Sequence, residues 1–263
     1  MRFRKVLALA AAMLAMSAVV PSATADQRPP KSPKPTIVLV HGAFAESASW
    51  NGVVERLKRK GYPVVAVANP LRSLSGDAAY VRKVLGTING PVVIAGHSYG
   101  GMVLSNAATG NPNVKGLVYI ASFAPESGES TFDLANKYPG NVLGEALDKI
   151  DLGDGDHDLV IQQDKFRSYF AADVDRETAE LAAATQRPVR EAALAEASGE
   201  PAWHDVPSWF LLTGKDRTIP LQAQKFMAER AKARGVVELP RASHAVAVSE
   251  PGAVTDLIIR AAR

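Results

Sequence analysis

The stretch Ile94–Gly101, IAGHSYGG, places Ser98 two residues from a glycine on either side. The apolar residues before it have the composition of a buried strand, and those after it have the apolar spacing of a helix. A serine in a sharp bend between strand and helix needs such neighbours, because side chains there would collide with either element. The alternative is a tight turn that is glycine-rich by chance. The strand–turn–helix context favours the interpretation that Ser98 is a nucleophile.

Short apolar runs alternate with helical patterns along the chain. The predicted strands are Thr36–Val40, Val64–Ala68, Pro91–Ala95, Gly116–Ile120, Ser208–Thr213 and Gly235–Leu239. The predicted helices are Ser47–Lys60, Gly76–Ile88, Tyr99–Thr109, Leu221–Arg234 and Glu250–Ala262. This alternation predicts an α/β fold with a parallel sheet covered by helices on both faces.

One interval, residues 123–205, contains no strong strand pattern. Its helical segments are Val160–Ala171, Asp175–Gln186 and Pro188–Ser198. The interval is too long for a simple crossover, so we expect an inserted helical cap over the carboxyl ends of the strands, where open α/β sheets bind ligands. Within it, DLGDGDHD (Asp151–Asp158) has acidic residues at alternate positions, but the glutamate that closes an EF-hand calcium loop is missing. We therefore expect a solvated loop there and no metal site.

The N-terminal residues predict an export signal. Three basic residues within the first five positions precede the apolar run Val6–Val20, and the small residues Ala23 and Ala25 mark a cleavage site. The run is short for a membrane span, so we expect cleavage near Ala25 and a secreted or periplasmic protein without a membrane segment. Residues 26–35, DQRPPKSPKP, are expected to form a disordered leader, and residues 36–263 a single domain.

The charge balance argues against nucleic-acid binding. The signal contains three of the 30 Lys and Arg residues and none of the 27 Asp and Glu residues, so the mature chain is formally neutral. The basic character of the whole sequence therefore belongs largely to the signal. The chain has no cysteine, so an exported protein of this sequence is stabilised by its core without disulfides.

A serine nucleophile needs a base, and the chain has five histidines. His244 follows the last predicted strand, which places it at the same edge of the sheet as Ser98. His41 and His97 lie beside glycines at strand ends and are expected to be structural or pocket-lining. His157 and His204 are expected at the surface or in contact with the cap.

The base in turn needs an orienting acid. Asp216 follows the fifth predicted strand at the same edge, although Gly-Lys-Asp-Arg is also ordinary turn chemistry. The rival is Glu126, after the fourth strand. Asp216 is favoured because its strand is the neighbour in sequence of the strand before His244, and because the chain order serine, aspartate, histidine is the one expected of such a strand–turn–helix nucleophile.

The loop after the first strand, HGAFAESASW, supplies the remaining element. Gly42 allows the backbone to approach the nucleophile closely. The N–H groups of Ala43 and Tyr99 are then candidates for a two-donor oxyanion hole. Phe44 is a candidate for the substrate pocket.

Four motifs together, VLVHGAFAESASW, AGHSYGGMV, TGKDRTIP and ASHAVAVSEP, resemble the α/β-hydrolase superfamily. The resemblance is greatest to the small-cap branch that contains plant methyl-ester esterases, such as those acting on methyl salicylate, and hydroxynitrile lyases. It implies a six-stranded, mostly parallel sheet, a triad of Ser98, Asp216 and His244, and no cofactor. The lyases of this branch have threonine at the position of Gly42 and lysine at that of Ala245, so lyase activity is not expected.

The sequence thus predicts an exported serine hydrolase for small-molecule carboxylic esters with apolar groups of small to medium size. Lactones, thioesters, amides and peracid formation remain open as alternative chemistry of the same triad. A slow-turnover ligand receptor is the alternative outside enzymes. The sequence leaves the oligomeric state open.

Overall fold

Two sheets organise the part of the chain that the computed structural model describes, residues 33–263. Their strands are β1 (Thr36–Val40), β2 (Val64–Val67), β3 (Val92–Ser98), β4 (Val114–Ser122), β5 (Leu147–Asp151), β6 (His157–Ile161), β7 (Val189–Arg190), β8 (Ser208–Thr213) and β9 (Gly235–Leu239). The predicted signal and residues 26–32 of the predicted leader lie outside the described residues.

Ten α-helices connect or flank these strands within residues 33–263. They are α1 (Asn51–Arg59), α2 (Leu74–Gly86), α3 (Gly100–Ala107), α4 (Thr131–Ala135), α5 (Gln163–Phe170), α6 (Arg176–Ala184), α7 (Glu191–Ala195), α8 (Leu221–Arg230), α9 (Val246–Ser249) and α10 (Pro251–Ala261). None of the described helices has the length and apolar character that crossing a membrane requires.

The larger sheet has six parallel strands in the order β2-β1-β3-β4-β8-β9. The predicted fold class is therefore confirmed. Successive residues of a strand face opposite sides, so along β1 Ile37 and Leu39 join a core with α1 and α10, while Val38 and Val40 join a core with α2 and α3. Burial on both faces explains why the strands are almost continuously apolar.

The segment between β4 and β8 differs from the expected all-helical cap. It contains α4, α5, α6 and α7, but also a three-stranded antiparallel sheet in the order β5-β6-β7. β5 (LDKID) and β6 (HDLVI) pair antiparallel, and Gly153 and Gly155 adopt positive φ in the segment between them, which makes a hairpin. The predicted helix Val160–Ala171 begins only at Gln163, because Val160 and Ile161 pair with β5 as part of β6.

The bend between β3 and α3 depends on glycine for space. A Cβ on Gly100 would lie 2.3 Å from the Val40 carbonyl oxygen, and one on Gly96 would lie 2.6 Å from the Gly100 carbonyl oxygen. Both distances are far below van der Waals contact. The glycines therefore let α3 start directly against the ends of β1 and β3, which brings Ser98 to the carboxyl edge of the sheet.

Candidate active site

Ser98 ends β3 in a backbone conformation that is rare for a residue with a side chain. Its φ is 53°, in the left-handed region, and the residue is 4% exposed. Such a conformation costs on the order of 1–3 kcal/mol and persists only where the surroundings enforce it. Here the Ser98 carbonyl accepts hydrogen bonds from Ser122 Oγ at 2.7 Å and from the Phe123 N–H at 3.3 Å. The end of β4 thus holds the bend from the neighbouring strand.

The structure brings together the three residues expected to form a triad. Ser98 Oγ lies 2.8 Å from His244 Nε2, and His244 Nδ1 lies 2.7 Å from Asp216 Oδ2. The His244 and Asp216 side chains are completely buried. In this environment the carboxylate accepts from Nδ1–H, which leaves the other ring nitrogen to accept the serine proton.

Several donors besides His244 saturate the Asp216 carboxylate. Oδ1 accepts from the N–H groups of Thr218 and Ile219 at 2.8 and 2.9 Å. Oδ2 accepts from Thr213 Oγ1 at 2.9 Å and from Gln224 Nε2 at 3.3 Å. These donors replace the hydration that burial removes from the carboxylate.

Glu126, the rival for the acid, lies in another cluster. Its carboxylate is 3.0 Å from His204 Nε2, and the other ring nitrogen of His204 lies 2.6 Å from Glu200. These side chains are partly exposed. Glu126 therefore has its own histidine partner, and Asp216 is the acid that contacts His244.

The loop after β1 passes directly over the bend at Ser98. A Cβ on Gly42 would lie 2.6 Å from Ser98 Cβ and 3.1 Å from the Tyr99 nitrogen. The absence of a side chain at Gly42 thus allows the loop that leads to Ala43 to lie against the backbone of Ser98 and Tyr99. Ala43, Tyr99 and Ser98 all line one cavity, so the two predicted oxyanion donors border the same space as the predicted nucleophile.

His41 fixes this loop and does not contact the triad. Its Nδ1 donates to the Gly42 carbonyl at 3.0 Å, and its Nε2 accepts from the Asn69 N–H at 2.9 Å. Asn69 Nδ2 returns a hydrogen bond to the His41 carbonyl at 3.1 Å. Burial lowers the pKa of His41, so the neutral ring can both donate and accept.

His97 supports the loop that contains His244 from the core side. Its Nε2 donates to the His244 carbonyl at 2.9 Å, and the two ring centroids lie 4.7 Å apart. Burial, with a smaller contribution from His244, lowers the pKa of His97 to about 3. His97 is therefore a neutral hydrogen-bond donor at neutral pH and adds no positive charge beside His244.

Asp77 holds the side chain of Tyr99 at the site, a role that the sequence analysis did not predict. It is 1% exposed, in the first turn of α2, and accepts from Tyr99 Oη at 3.1 Å and from the Arg72 N–H at 3.2 Å. Burial raises the pKa of Asp77, and the hydrogen bonds oppose that shift. An aspartate at the start of a helix is ordinary dipole complementation in sequence, so only the fold reveals that Asp77 anchors the side chain of Tyr99.

The cavity at Ser98 has a volume of about 370 Å³ and lies between the core and the cap. Its apolar lining includes Phe44, Phe123, Phe132, Leu143, Phe170 and Leu194. A second cavity of about 340 Å³ lies beside it and shares only Phe44 and Phe170 with the first. These two rings meet edge to face with centroids 6.3 Å apart, so they form the wall between the cavities.

The acidic residues of the run Asp151–Asp158 form contacts that stabilise the hairpin of β5 and β6. Arg190 bonds Asp154 and Asp156 at 2.6 Å each. Asp156, His157 and Glu191 offer donor atoms within 4.8 Å of one another, but Asp156 is engaged by Arg190 and His157 by Glu191 at 3.2 Å. None of the three lines the cavity at Ser98.

The pKa of His97 predicts how acid affects stability. The folded protein keeps His97 neutral down to a pKa of about 3, whereas the unfolded chain protonates it near 6.5. Between these values the unfolded state binds more protons, so this histidine lowers the free energy of unfolding as pH falls, by at most about 1.4 kcal/mol per pH unit. His97→Gln keeps a donor for the His244 carbonyl but does not titrate. Measured by urea denaturation, the free energy of unfolding should fall less steeply with decreasing pH below 6.5 in the variant than in the wild-type protein. Equal slopes would contradict the lowered pKa of His97.

Comparison with known proteins places the chain in a family. Residues 37–257 match the model of the alpha/beta hydrolase family. A pyrethroid hydrolase of Sphingobium wenxiniae is 29% identical over 244 residues, covering 84% of this chain and 85% of that protein. Methylesterase 2 and an alpha-hydroxynitrile lyase, both of Arabidopsis thaliana, are each 23% identical, covering 86% and 83% of this chain and 95% and 93% of those proteins.

Among solved structures, polyneuridine aldehyde esterase is similar with a TM-score of 0.75 at 21% identity, covering 86% of this chain and 98% of that chain. This likeness supports the fold. The plant relatives confirm the resemblance expected from the four motifs. The chain belongs to the alpha/beta hydrolase family.

Proposed function

We propose that the protein is an exported serine hydrolase that cleaves carboxylic esters with largely apolar groups of small to medium size. The strongest support is the pair of contacts that joins Ser98 Oγ to His244 at 2.8 Å and His244 to Asp216 at 2.7 Å. A base at hydrogen-bond distance activates a serine hydroxyl, and a buried carboxylate orients that base. Export is supported by the N-terminal sequence pattern alone.

In the first half of the reaction, Ser98 Oγ attacks the ester carbonyl carbon while His244 Nε2 takes the hydroxyl proton. The negative charge that develops on the carbonyl oxygen is stabilised by the N–H groups of Ala43 and Tyr99. Asp216 stabilises the imidazolium. The bond to the alcohol then breaks, and His244 returns its proton to the leaving oxygen.

In the second half, His244 removes a proton from water, and the resulting oxygen attacks the acyl group on Ser98. The same two N–H groups stabilise the second tetrahedral intermediate. Its collapse releases the carboxylic acid and returns the proton to Ser98 Oγ. All steps use groups of this chain and water.

The substrate class follows from the lining and size of the cavity. Its volume of about 370 Å³ is at the lower end of the range for small-molecule sites. The aromatic and aliphatic walls favour apolar groups on the ester. The names of the methylesterase and pyrethroid hydrolase relatives agree with ester cleavage, which this chain's own residues support.

Two residues favour hydrolysis over cyanohydrin cleavage. Gly42 has no side chain, and a Cβ there would lie 2.6 Å from Ser98 Cβ. Ala245, after the base, is buried and apolar. The positions at which lyases of this branch carry threonine and lysine therefore offer no polar group here.

Lactones, thioesters, amides and peracid formation fit the same triad, and a substrate panel distinguishes them. A slow-turnover ligand receptor is distinguished from an enzyme by counting turnovers, because the receptor would release about one product molecule per protein molecule.

The test of the nucleophile uses a fluorophosphonate probe and an ester such as 4-nitrophenyl butyrate. Ser98→Ala should lose activity by a thousandfold or more and lose labelling, because no other group forms the acyl-enzyme. Ser208→Ala is the control, since that serine is also buried but begins β8 at the opposite end of the sheet. Labelling of a different serine in the wild-type protein would overturn the assignment.

The test of the acid compares two carboxylates on one ester. Asp216→Asn should lower kcat by up to about ten thousandfold, because an amide that donates to Nδ1 favours the wrong imidazole tautomer. Glu126→Gln should change kcat at most a few-fold, since Glu126 contacts His204 and not His244. The reverse pattern would assign the acid to Glu126.

The wall between the cavities predicts a change of substrate size. Phe170→Ala should join the two cavities and raise kcat/KM for long acyl chains relative to butyrate, even where the absolute rate falls. Phe166 lines only the second cavity, so Phe166→Ala is the matched control and should keep the wild-type order of substrates. Measuring a series of 4-nitrophenyl esters gives the ratio directly. An unchanged order for Phe170→Ala would mean that this ring does not limit substrate length.

A further inference from the structure

The loop that carries His244 is bonded to the cap on both sides of the histidine. The Ser243 N–H donates to Asp173 Oδ2 at 3.0 Å, and Ser243 Oγ donates to the other oxygen of that carboxylate. The Ala245 N–H donates to the Phe170 carbonyl at 3.1 Å. Asp173 and Phe170 belong to the end of α5 and the loop that follows it. The two amides next to the base are therefore held by the cap.

The core holds the same loop through different groups. His97 Nε2 donates to the His244 carbonyl at 2.9 Å, and the Lys215 N–H donates to the Ala242 carbonyl at 2.9 Å. In these contacts the core supplies donors to carbonyls, while the cap supplies acceptors to amides. The position of the loop consequently depends on both partners, and neither set of bonds replaces the other.

The cap segment 168–173 also contacts the loop of the acid. Arg217, next to Asp216, donates to the Ser168 carbonyl at 3.3 Å, and its guanidinium lies 4.4 Å from the Tyr169 ring centroid. The Arg217 carbonyl accepts from the Val142 N–H of the cap at 3.0 Å. Both loops that orient the proposed base are thus docked on the cap.

We propose that Asp173 is a positioning residue for His244: by holding Ser243 it keeps the imidazole between Ser98 and Asp216. This inference rests on the proposed function. Asp173 does not line the cavity at Ser98, so it acts through Ser243 and not on the substrate. Its carboxylate is at the surface, where solvent screens the charge, so hydrogen-bond geometry carries the effect. The catalytic arrangement then depends on a docked cap.

The kinetic test uses three variants of the full-length mature protein on 4-nitrophenyl butyrate. Asp173→Ala should lower kcat about tenfold, a loss comparable to one hydrogen bond, while KM stays within about twofold. Asp173→Asn should retain most of kcat, because its oxygen accepts from the Ser243 N–H and its NH₂ donates to Ser243 Oγ. Asp164→Ala is the control for charge, since Asp164 is an exposed carboxylate on α5, the helix that precedes the loop of Asp173.

Hydrogen exchange supplies a second readout that a merely structural role would not produce. In the Asp173→Ala protein, exchange should accelerate in the peptide containing Ser243 and Ala245. The peptide containing Ser98 and the cap hairpin should keep wild-type protection. Ser243→Ala removes one of the two bonds to Asp173, so its effect on kcat should be smaller than that of Asp173→Ala.

Three outcomes would overturn the inference: an unchanged kcat for Asp173→Ala, a rise of KM with kcat intact, or an equal loss in Asp164→Ala. Besides these three kinetic outcomes, accelerated exchange across the whole cap would also overturn the inference, because Asp173 would then only stabilise the cap. Failure of the proposed function is distinguishable, because the wild-type protein would then neither hydrolyse the ester nor label at Ser98. A functional wild type with an unaffected Asp173→Ala rejects the positioning role alone.

Discussion

The left-handed backbone at Ser98 is the constraint on which the site depends. A φ of 53° turns the serine hydroxyl out of the sheet, and the same bend starts α3 with its free N–H groups beside that hydroxyl. The bend is possible only because Gly96 and Gly100 leave room and because β4 holds the Ser98 carbonyl. The sheet is therefore the rigid support of a locally unfavourable conformation, and burial of both its faces provides the stability that the conformation requires.

Burial also determines the electrostatics around the base. His244 and Asp216 are buried, so the hydrogen bond between them is electrostatically stronger than the same bond would be in an exposed pair. Four neighbours besides the histidine donate hydrogen bonds to the Asp216 carboxylate. His97 packs against His244 on the core side. Because its pKa is lowered, it stays neutral and places no second positive charge beside the imidazolium of the proposed reaction. In the proposed reaction, the Asp216 carboxylate lies where the positive charge of the imidazolium appears.

The features that the sequence predicted are those set by local patterns. Glycine spacing identified the bend at Ser98, and β-branched runs identified the strands, because both depend on residues near one another in the chain. The order of strands then brought Asp216 and His244 to the edge of Ser98. The cap hairpin was missed because its strands, LDKID and HDLVI, are short and lack regular alternation of polar and apolar residues, and because its acidic turn resembles a loop. Asp77 and Asp173 were missed because their partners are distant in sequence, and an aspartate near a helix end has an ordinary local explanation.

The cap affects two properties of the site, the space for substrate and the position of His244. Most cap residues affect only one of the two. Side chains such as Phe132 and Leu194 line the cavity and take no part in the hydrogen bonds that hold the loop of His244. Changes there alter the space for substrate. Phe170 is different. Its ring lines both cavities and packs against the His244 ring with centroids 4.8 Å apart, while its carbonyl holds the Ala245 amide. Substrate size and the placement of the base are therefore physically coupled at this residue, whereas the rest of the cap lining can vary with less consequence for the rate of the chemical step.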